Sequence, residues 1–299
     1  MESKTASLDL DHQHQMILKE RKANNAWNKL KRNKTAMIGL IIVVVMTMMA
    51  IFSPLLAPSD PNEMSLANSY LKPGEGGHIL GTDEFGRDLL SRIIYGSRIS
   101  IIVAVGGMIF GGMIGILLGL IAGFKGGIID TIIMRLMDGM FAFPFVLLAI
   151  VLMTVLGDGL HNVILAIGIA NIPGYARIVR GQVHVVKNEE YCHAVRALGA
   201  SDMRLLFGHI LPNSISPIIV YATLNVAGAI ISEAALSFLG LGIQPPTASW
   251  GTILRAGKDC LSSAPHIATY SGLIILITVL GFNLLGDGIR DVLDPKMKR

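Results

Sequence analysis

Six long stretches of this chain carry no Asp, Glu, Lys or Arg: Ala36 to Ala57, Ile99 to Phe124, Gly139 to Leu156, Leu160 to Ala176, Pro212 to Ser232 and Leu261 to Gly286. A helix that crosses hydrocarbon needs about 20 apolar residues, within a working range of about 17–25. The pattern therefore predicts an all-α polytopic membrane protein with six transmembrane helices. The third and fourth stretches are the shortest. The third is expected to begin inside the charged segment Asp130 to Asp138 and to kink at Pro144, after Phe141 and Phe143; the fourth must accommodate Asn171 and Pro173. Polar segments divide the chain into a leading segment 1–35, a first span 36–57, a connection 58–98, and a five-helix core 99–299 that contains an amphipathic loop at 177–211.

Composition narrows the class. Hydrophobic residues make up 52% of the chain and charged residues 15%, against about 25% charged in ordinary soluble domains. A soluble enzyme is excluded, and so are disorder and a disulfide scaffold, since there is ample apolar surface and only Cys192 and Cys260. The cations set the orientation. Nineteen of 25 Lys and Arg fall on one side if the N-terminus is cytoplasmic, and the other six are Lys72, Arg87, Arg92, Arg98, Arg255 and Lys258. Both termini are accordingly expected in the cytoplasm, with Cys192 and Cys260 on opposite sides and unable to bridge. The formal charge of +4 reads as this asymmetry and as contact with membrane lipid, not as a nucleic-acid footprint. No cleavable signal peptide is expected, because some 35 polar residues precede the first apolar run. Within them, Lys19 to Lys22 and Lys29 to Lys34 flank Trp27, as in an interfacial helix. The sequon Asn33-Lys34-Thr35 reads as a chance match.

Several side chains interrupt the apolar pattern. Gly107, Gly111, Gly115, Gly119 and Gly123 recur every four residues and bare one helical face for close packing. Arg135 and Asp138, three apart, are placed to pair with each other or to meet a solute. Asn225 and Glu233 share a helical face within the fifth span. An intramembrane carboxylate invites a functional reading, such as contact with a ligand ammonium. The plainer reading has Glu233 reaching outer water or pairing with Arg255 or Lys258. Between spans one and two, a connection rich in Pro, Gly, Asn and Asp ends in Gly81-Thr82-Asp83-Glu84-Phe85-Gly86-Arg87-Asp88 and is expected to be ordered.

The inner loop 177–211 reads as two short helices broken at Gly199, with Ser201 or Asp202 capping the second. Displayed beneath the membrane, such a pair has the shape of a docking element, or of an interfacial connector. Ala194-x4-Gly199 with His209-Ile210-Leu211-Pro212 resembles the cytoplasmic signature Glu-Ala-Ala-x3-Gly-x9-Ile-x-Leu-Pro of membrane subunits of binding-protein-dependent ABC importers. His193 stands where that signature has Glu, and the nearest carboxylates are Glu189 and Glu190. Gly81 to Asp88, Ser237 to Pro246 with Ser249-Trp250-Gly251, and Phe282 to Pro295 are similar to the C-type permease subunit of dipeptide and oligopeptide importers.

The resemblance implies a type I importer permease fold and a multi-pass protein of the cell inner membrane. The implied partners are a B-type permease subunit, two ABC ATPase subunits that bind ATP and Mg, and an extracytoplasmic solute-binding protein. No cofactor is expected in this chain, and catalysis is left to the partners: Ala256-Gly257-Lys258-Asp259 lacks the first glycine and the hydroxyl residue of a phosphate-binding loop. Coupling to the ATPase is assigned by the resemblance to Glu189, Glu190, His193, Ala194, Ala197, Gly199, Ala200, Leu211 and Pro212. Gly81, Thr82, Asp83, Gly86, Arg87 and Asp88 form the outer motif, a place where the solute-binding protein could dock. Within the group, glutathione and nickel are alternative solutes. An ion-coupled secondary transporter, using Asp138 or Glu233, is the alternative of another class.

Overall fold

The computed structural model describes residues 27–293, and these are helical apart from their connections; an isolated bridge between Thr82 and Asp88 is the only β pairing among them. In chain order the helices are α1 (Lys34–Ile51), α2 (Leu89–Lys125), α3 (Gly127–Phe141), α4 (Phe145–Leu156), α5 (Leu160–Val186), α6 (Glu190–Ala197), α7 (Asp202–Leu205), α8 (Leu211–Phe238), α9 (Trp250–Asp259) and α10 (Pro265–Leu293). A single turn, Ser53–Leu56, follows α1, and a π turn, Leu206–Ile210, joins α7 to α8. Five helical segments are long and apolar enough to cross a membrane. The pair α3 and α4 supplies a sixth crossing when taken as one span.

That pair departs from the kinked helix expected for the third span, because its two halves meet at 92°. Pro144 has no N–H to donate and disfavours helical geometry at Phe143, so the chain stops at Phe141 and restarts at Phe145. Other helices outrun the uncharged stretches that announced them. α2 starts at Leu89, and its 37 residues rise about 55 Å against a hydrocarbon core of about 30 Å. Its first turns, with Arg92 and Arg98, therefore extend past the apolar window. α5 likewise carries Arg177 and Arg180 on to Val186, so the segment read as a loop from residue 177 opens with helix.

Close packing of α2 on α5 forms the centre of the bundle. A Cβ on Gly115 would lie 2.6 Å from the Ile172 carbonyl, one on Gly119 2.5 Å from the Ala176 carbonyl, and one on Gly123 2.7 Å from Val183 Cβ. The stripe thus removes side chains where two backbones touch, which gains dispersion contact that lipid cannot match. α1 uses the same device against α10, with Gly39 against Leu285 and Gly288 against Ala36. Asn33 caps α1: its carbonyl accepts from the Ala36 N–H (3.2 Å) and the Thr35 hydroxyl (2.7 Å), and its amide donates to Asp291 (3.2 Å). The sequon is therefore a helix cap. Of the interfacial helix expected before it, residues 27–32 are helical, with Lys31 5.1 Å over Trp27, while Lys19 to Lys22 lie outside the described residues.

Candidate functional site

Each end of the bundle carries a distinct structure. One end gathers residues 57–88 and 239–264 and is here the loop end; the other carries α6 and α7 and is the helix-pair end.

At the helix-pair end, α6 is attached along one narrow face, by Cys192 and the half-buried Val195. Cys192 is 1% exposed and packs with Val183, Val186, Leu205, Leu206 and Ile210; it is the single buried residue of α6. The other faces are open: Glu189, Glu190, His193, Ala194, Ala197 and Gly199 are exposed, and Leu198 is 87% exposed. Gly199 ends the helix at φ +83°, a left-handed conformation that costs other L-residues about 1–2 kcal/mol. Its N–H donates to the Arg196 carbonyl, and that of Ala200 to the Val195 carbonyl. A Cβ on Gly199 would meet nothing within 4 Å, so backbone conformation and not crowding inside this chain calls for glycine there. Ser201 then caps α7, its hydroxyl accepting from the Arg204 N–H.

Leu211 and Pro212 open α8 immediately after the π turn. Pro212 offers no N–H to the Gly208 carbonyl, and its ring crowds that position; the wider turn relieves both while the helical path continues. α6 and α7 are thereby spliced between two bundle helices, α5 before them and α8 after. Asp202 links the pair loosely to the end of α2 through Lys125 (3.5 Å), and α7 to α6 through Arg196 (4.0 Å), all of them more than half exposed.

Above the pair, α3 is tied to α5. Arg180 donates both Nε and an Nη to the two Asp130 oxygens, at 2.5 and 2.6 Å, and Arg177 donates to Asp138 at 2.8 Å while stacking on Phe141. This corrects the expected Arg135–Asp138 pair: Arg177 reaches Asp138 from the facing helix, and Arg135 is exposed. Opposite charges one to two turns apart on neighbouring apolar stretches were the available sign of the Arg177 and Arg180 pairs.

At the loop end, the motif residues build one another. Asp83 accepts from the N–H groups of Phe85 and Arg87, from Arg87 Nε at 2.6 Å, and lies 3.3 Å from Arg92 Nε. Asp88 caps α2 by accepting from the Ser91 N–H and hydroxyl, both at 2.7 Å, while its other oxygen meets His78 Nδ1 at 2.8 Å. Thr82 donates to the Asn68 carbonyl and accepts from the Leu71 N–H. Gly81 and Gly86 adopt positive φ where a side chain would strike the Leu71 and Ser65 carbonyls. Glu84 donates nothing and offers one oxygen to Arg87, its second oxygen being buried without a partner. Burial, and then the charge on Asp83, push its carboxyl above the usual carboxylate range.

Glu233 lies just beneath this end and is fully buried. Its oxygens accept from the hydroxyls of Ser100 and Ser237, each at 2.8 Å, and Ser237 in turn accepts from the Ile243 N–H. The expected access to water or pairing with Arg255 or Lys258 is therefore replaced by hydroxyl contacts. Arg255 packs across Gly240, and Lys258 pairs with Asp259. Asn225, two turns away, is half-buried and donates to the Tyr221 carbonyl of its own helix. Among the described residues no three His, Cys, Asp or Glu side chains converge as a metal ion would require.

Residues 115–299 match the family model described as binding-protein-dependent transport system inner membrane component, and residues 23–73 match that of the N-terminal transmembrane domain of oligopeptide transport permease C. The chain is 44% identical to the di/tripeptide transport system permease protein of Pseudomonas aeruginosa, over 91% of each chain. It is 46% identical to the dipeptide transport system permease protein of Alkalihalophilus pseudofirmus, over 91% of this chain and 90% of that one. Identity to the glutathione transport system permease protein of Pectobacterium atrosepticum is 42%, over the same shares.

Proposed function

The chain belongs to the family of binding-protein-dependent transport system inner membrane components, and from that premise we propose that it is the C-type permease subunit of an ATP-driven importer of dipeptides or oligopeptides. The observation that carries the reading is the splice of α6 and α7 between α5 and α8. An exposed helix pair that is continuous with two bundle helices can receive a push from a neighbour and pass it to the bundle.

In this proposal the helix-pair end faces the cytoplasm, together with both termini, in keeping with the excess of Lys and Arg on that side. Glu189, Glu190, His193, Ala194 and Ala197 face an ATPase subunit, Gly199 and Ala200 set the turn, and Leu211-Pro212 returns the chain to α8. Two ATPase subunits bind ATP and Mg and supply the hydrolysis; a B-type permease completes the pathway. A solute-binding protein docks on the loop end, whose shape the Gly81–Asp88 motif fixes. Asn225, on the half-buried face of α8, is the side chain proposed to border the pathway. Glutathione, itself a peptide, is the second solute reading, favoured by the relatives that carry that name. The ion-coupled alternative draws no support from its carriers, since Asp138 is ion-paired and Glu233 is sealed beneath the loops.

Ala194→Trp tests the coupling proposal without straining the chain, because Ala194 is exposed and helical. Uptake of a labelled dipeptide by cells should fall at least tenfold, with the amount of protein in the membrane and its unfolding temperature unchanged. Undiminished uptake would sink the assignment of this face to the ATPase.

A further inference from the structure

α8 packs on both α5 and α10, which scarcely touch each other. It therefore forms the floor of a groove whose walls are α5 and α10, with a volume of about 690 Å³. Ligand clefts commonly measure about 300–1,000 Å³. This groove is separate from the open face of α6 and from the loop end.

Its lining changes character with depth. Gln182 near the end of α5, Asn213 and Ser216 in the first turns of α8, and Arg290 in the last turn of α10 supply the polar groups of the mouth, nearest the helix-pair end, beside the apolar Pro217 and Leu293. Ile178, Val220 and Leu224 line a deeper wall, between one and three turns further into the bundle. With the helix-pair end at a membrane surface, as the proposed function has it, the first group lies nearer the headgroups than the second. Arg290 is exposed at the mouth. A small zwitterionic solute would need polar partners at both of its ends, and the deep wall offers it few, since the Tyr221 hydroxyl lies against Gly174 of α5. An amphiphile has the opposite demand: one anionic, hydrogen-bonding head and a tail that asks for nothing polar.

We propose that this groove is a phospholipid site, in which the lipid phosphate meets Arg290 and the amide and hydroxyl groups of Gln182, Asn213 and Ser216, while one acyl chain lies along Ile178, Val220 and Leu224. Arg is suited to this role because its planar fork pairs with two phosphate oxygens at once. Basic pockets between membrane helices on the cytoplasmic side select lipid phosphate by the same chemistry. The site does not depend on the identity of the transported solute.

The test uses the assembly containing the full chain, purified in detergent, with native mass spectrometry to count retained lipid. The probes are phosphatidylglycerol, diacylglycerol with the same acyl chains, inorganic phosphate and the dipeptide Ala-Ala. Phosphatidylglycerol should be retained about tenfold more strongly than diacylglycerol. Arg290→Gln should erase most of that difference, Val220→Trp should weaken both lipids by filling the groove, and inorganic phosphate should displace neither. Unchanged unfolding temperatures establish that the variants fold. Equal retention of the two lipids, or discrimination that survives Arg290→Gln, overturns the proposal. Displacement of phosphatidylglycerol by Ala-Ala makes the groove a solute site, and absence of bound lipid from the assembly leaves the groove to a partner helix; either result also overturns it.

Discussion

The two ends of the bundle handle charge in opposite ways. At the loop end Asp83, Arg87, Asp88 and Arg92 are each at most 4% exposed, and every one has a charged or hydrogen-bonding partner from the same segment or the start of α2. At the helix-pair end the charges of α6 and α7 are in the open, their ion pairs are loose, and one narrow face, Cys192 with Val195, holds α6 to the bundle. Buried charge is costly unless it is paired and bonded, so the loop end must be complete within this chain to exist at all. The helix-pair end is under no such demand. It leaves Tyr191, Leu198, Met203 and Phe207 exposed, an apolar surface of the kind that marks contact with another molecule.

The contrast can be broken first by Asp83→Ala. Two buried guanidinium groups would lose their shared carboxylate, and removing one partner of a buried pair costs about 3–5 kcal/mol. Thermal unfolding in detergent should show a large drop, with little folded protein recovered. Gly199→Ala should cost about 1–2 kcal/mol, from the positive φ alone, and leave the rest of the bundle intact. Hydrogen exchange confined to α6 and α7 would register it.

Glu84 sharpens the loop-end half of the comparison. Its raised carboxyl means that its contribution favours the folded state below the ordinary Glu range, about 4.3, and is lost as pH rises through the folded-state value. Glu84→Gln keeps an acceptor for Arg87 and removes that loss. The variant should gain stability relative to the parent as pH is raised, seen as diverging unfolding temperatures. Last, Asp202→Ala should change stability by less than about 1 kcal/mol, since exposed ion pairs contribute little. A large effect there would mean that the helix-pair end is as internally locked as the loop end.

The crossings were legible because hydrocarbon excludes charge and leaves a long uncharged run as its trace. The glycine stripe and the break at Gly199 were legible for a similar reason, each being a position where sterics admit a narrow set of residues. Helix ends were not. A window stops at Arg177, but the helix continues, because Asp138 and Asp130 neutralise Arg177 and Arg180 from another helix. The surroundings of Glu233 were hidden for want of the same long-range information: one of its partners, Ser100, lies 133 residues away. In the motif Gly81 to Asp88 the residues were conspicuous while their task was hidden, since nothing in a linear pattern says that Asp83 faces two arginines or that Asp88 caps a helix.

α8 joins these two dissimilar ends as one 28-residue helix. Glu233 and Ser237 clamp its far end to α2 and to the 243 loop, while its near end continues into the π turn and the exposed pair. Pro217 breaks its hydrogen-bond ladder in the second turn, and the helix, held at Glu233, would pivot there if it tilts. From there to Leu211 the arm is about 33 Å, so a tilt of about 10° carries the near end through roughly 6 Å. The two serine hydroxyls that hold Glu233 thus fix the far end of α8, and any tilt about that clamp would be largest at the exposed pair.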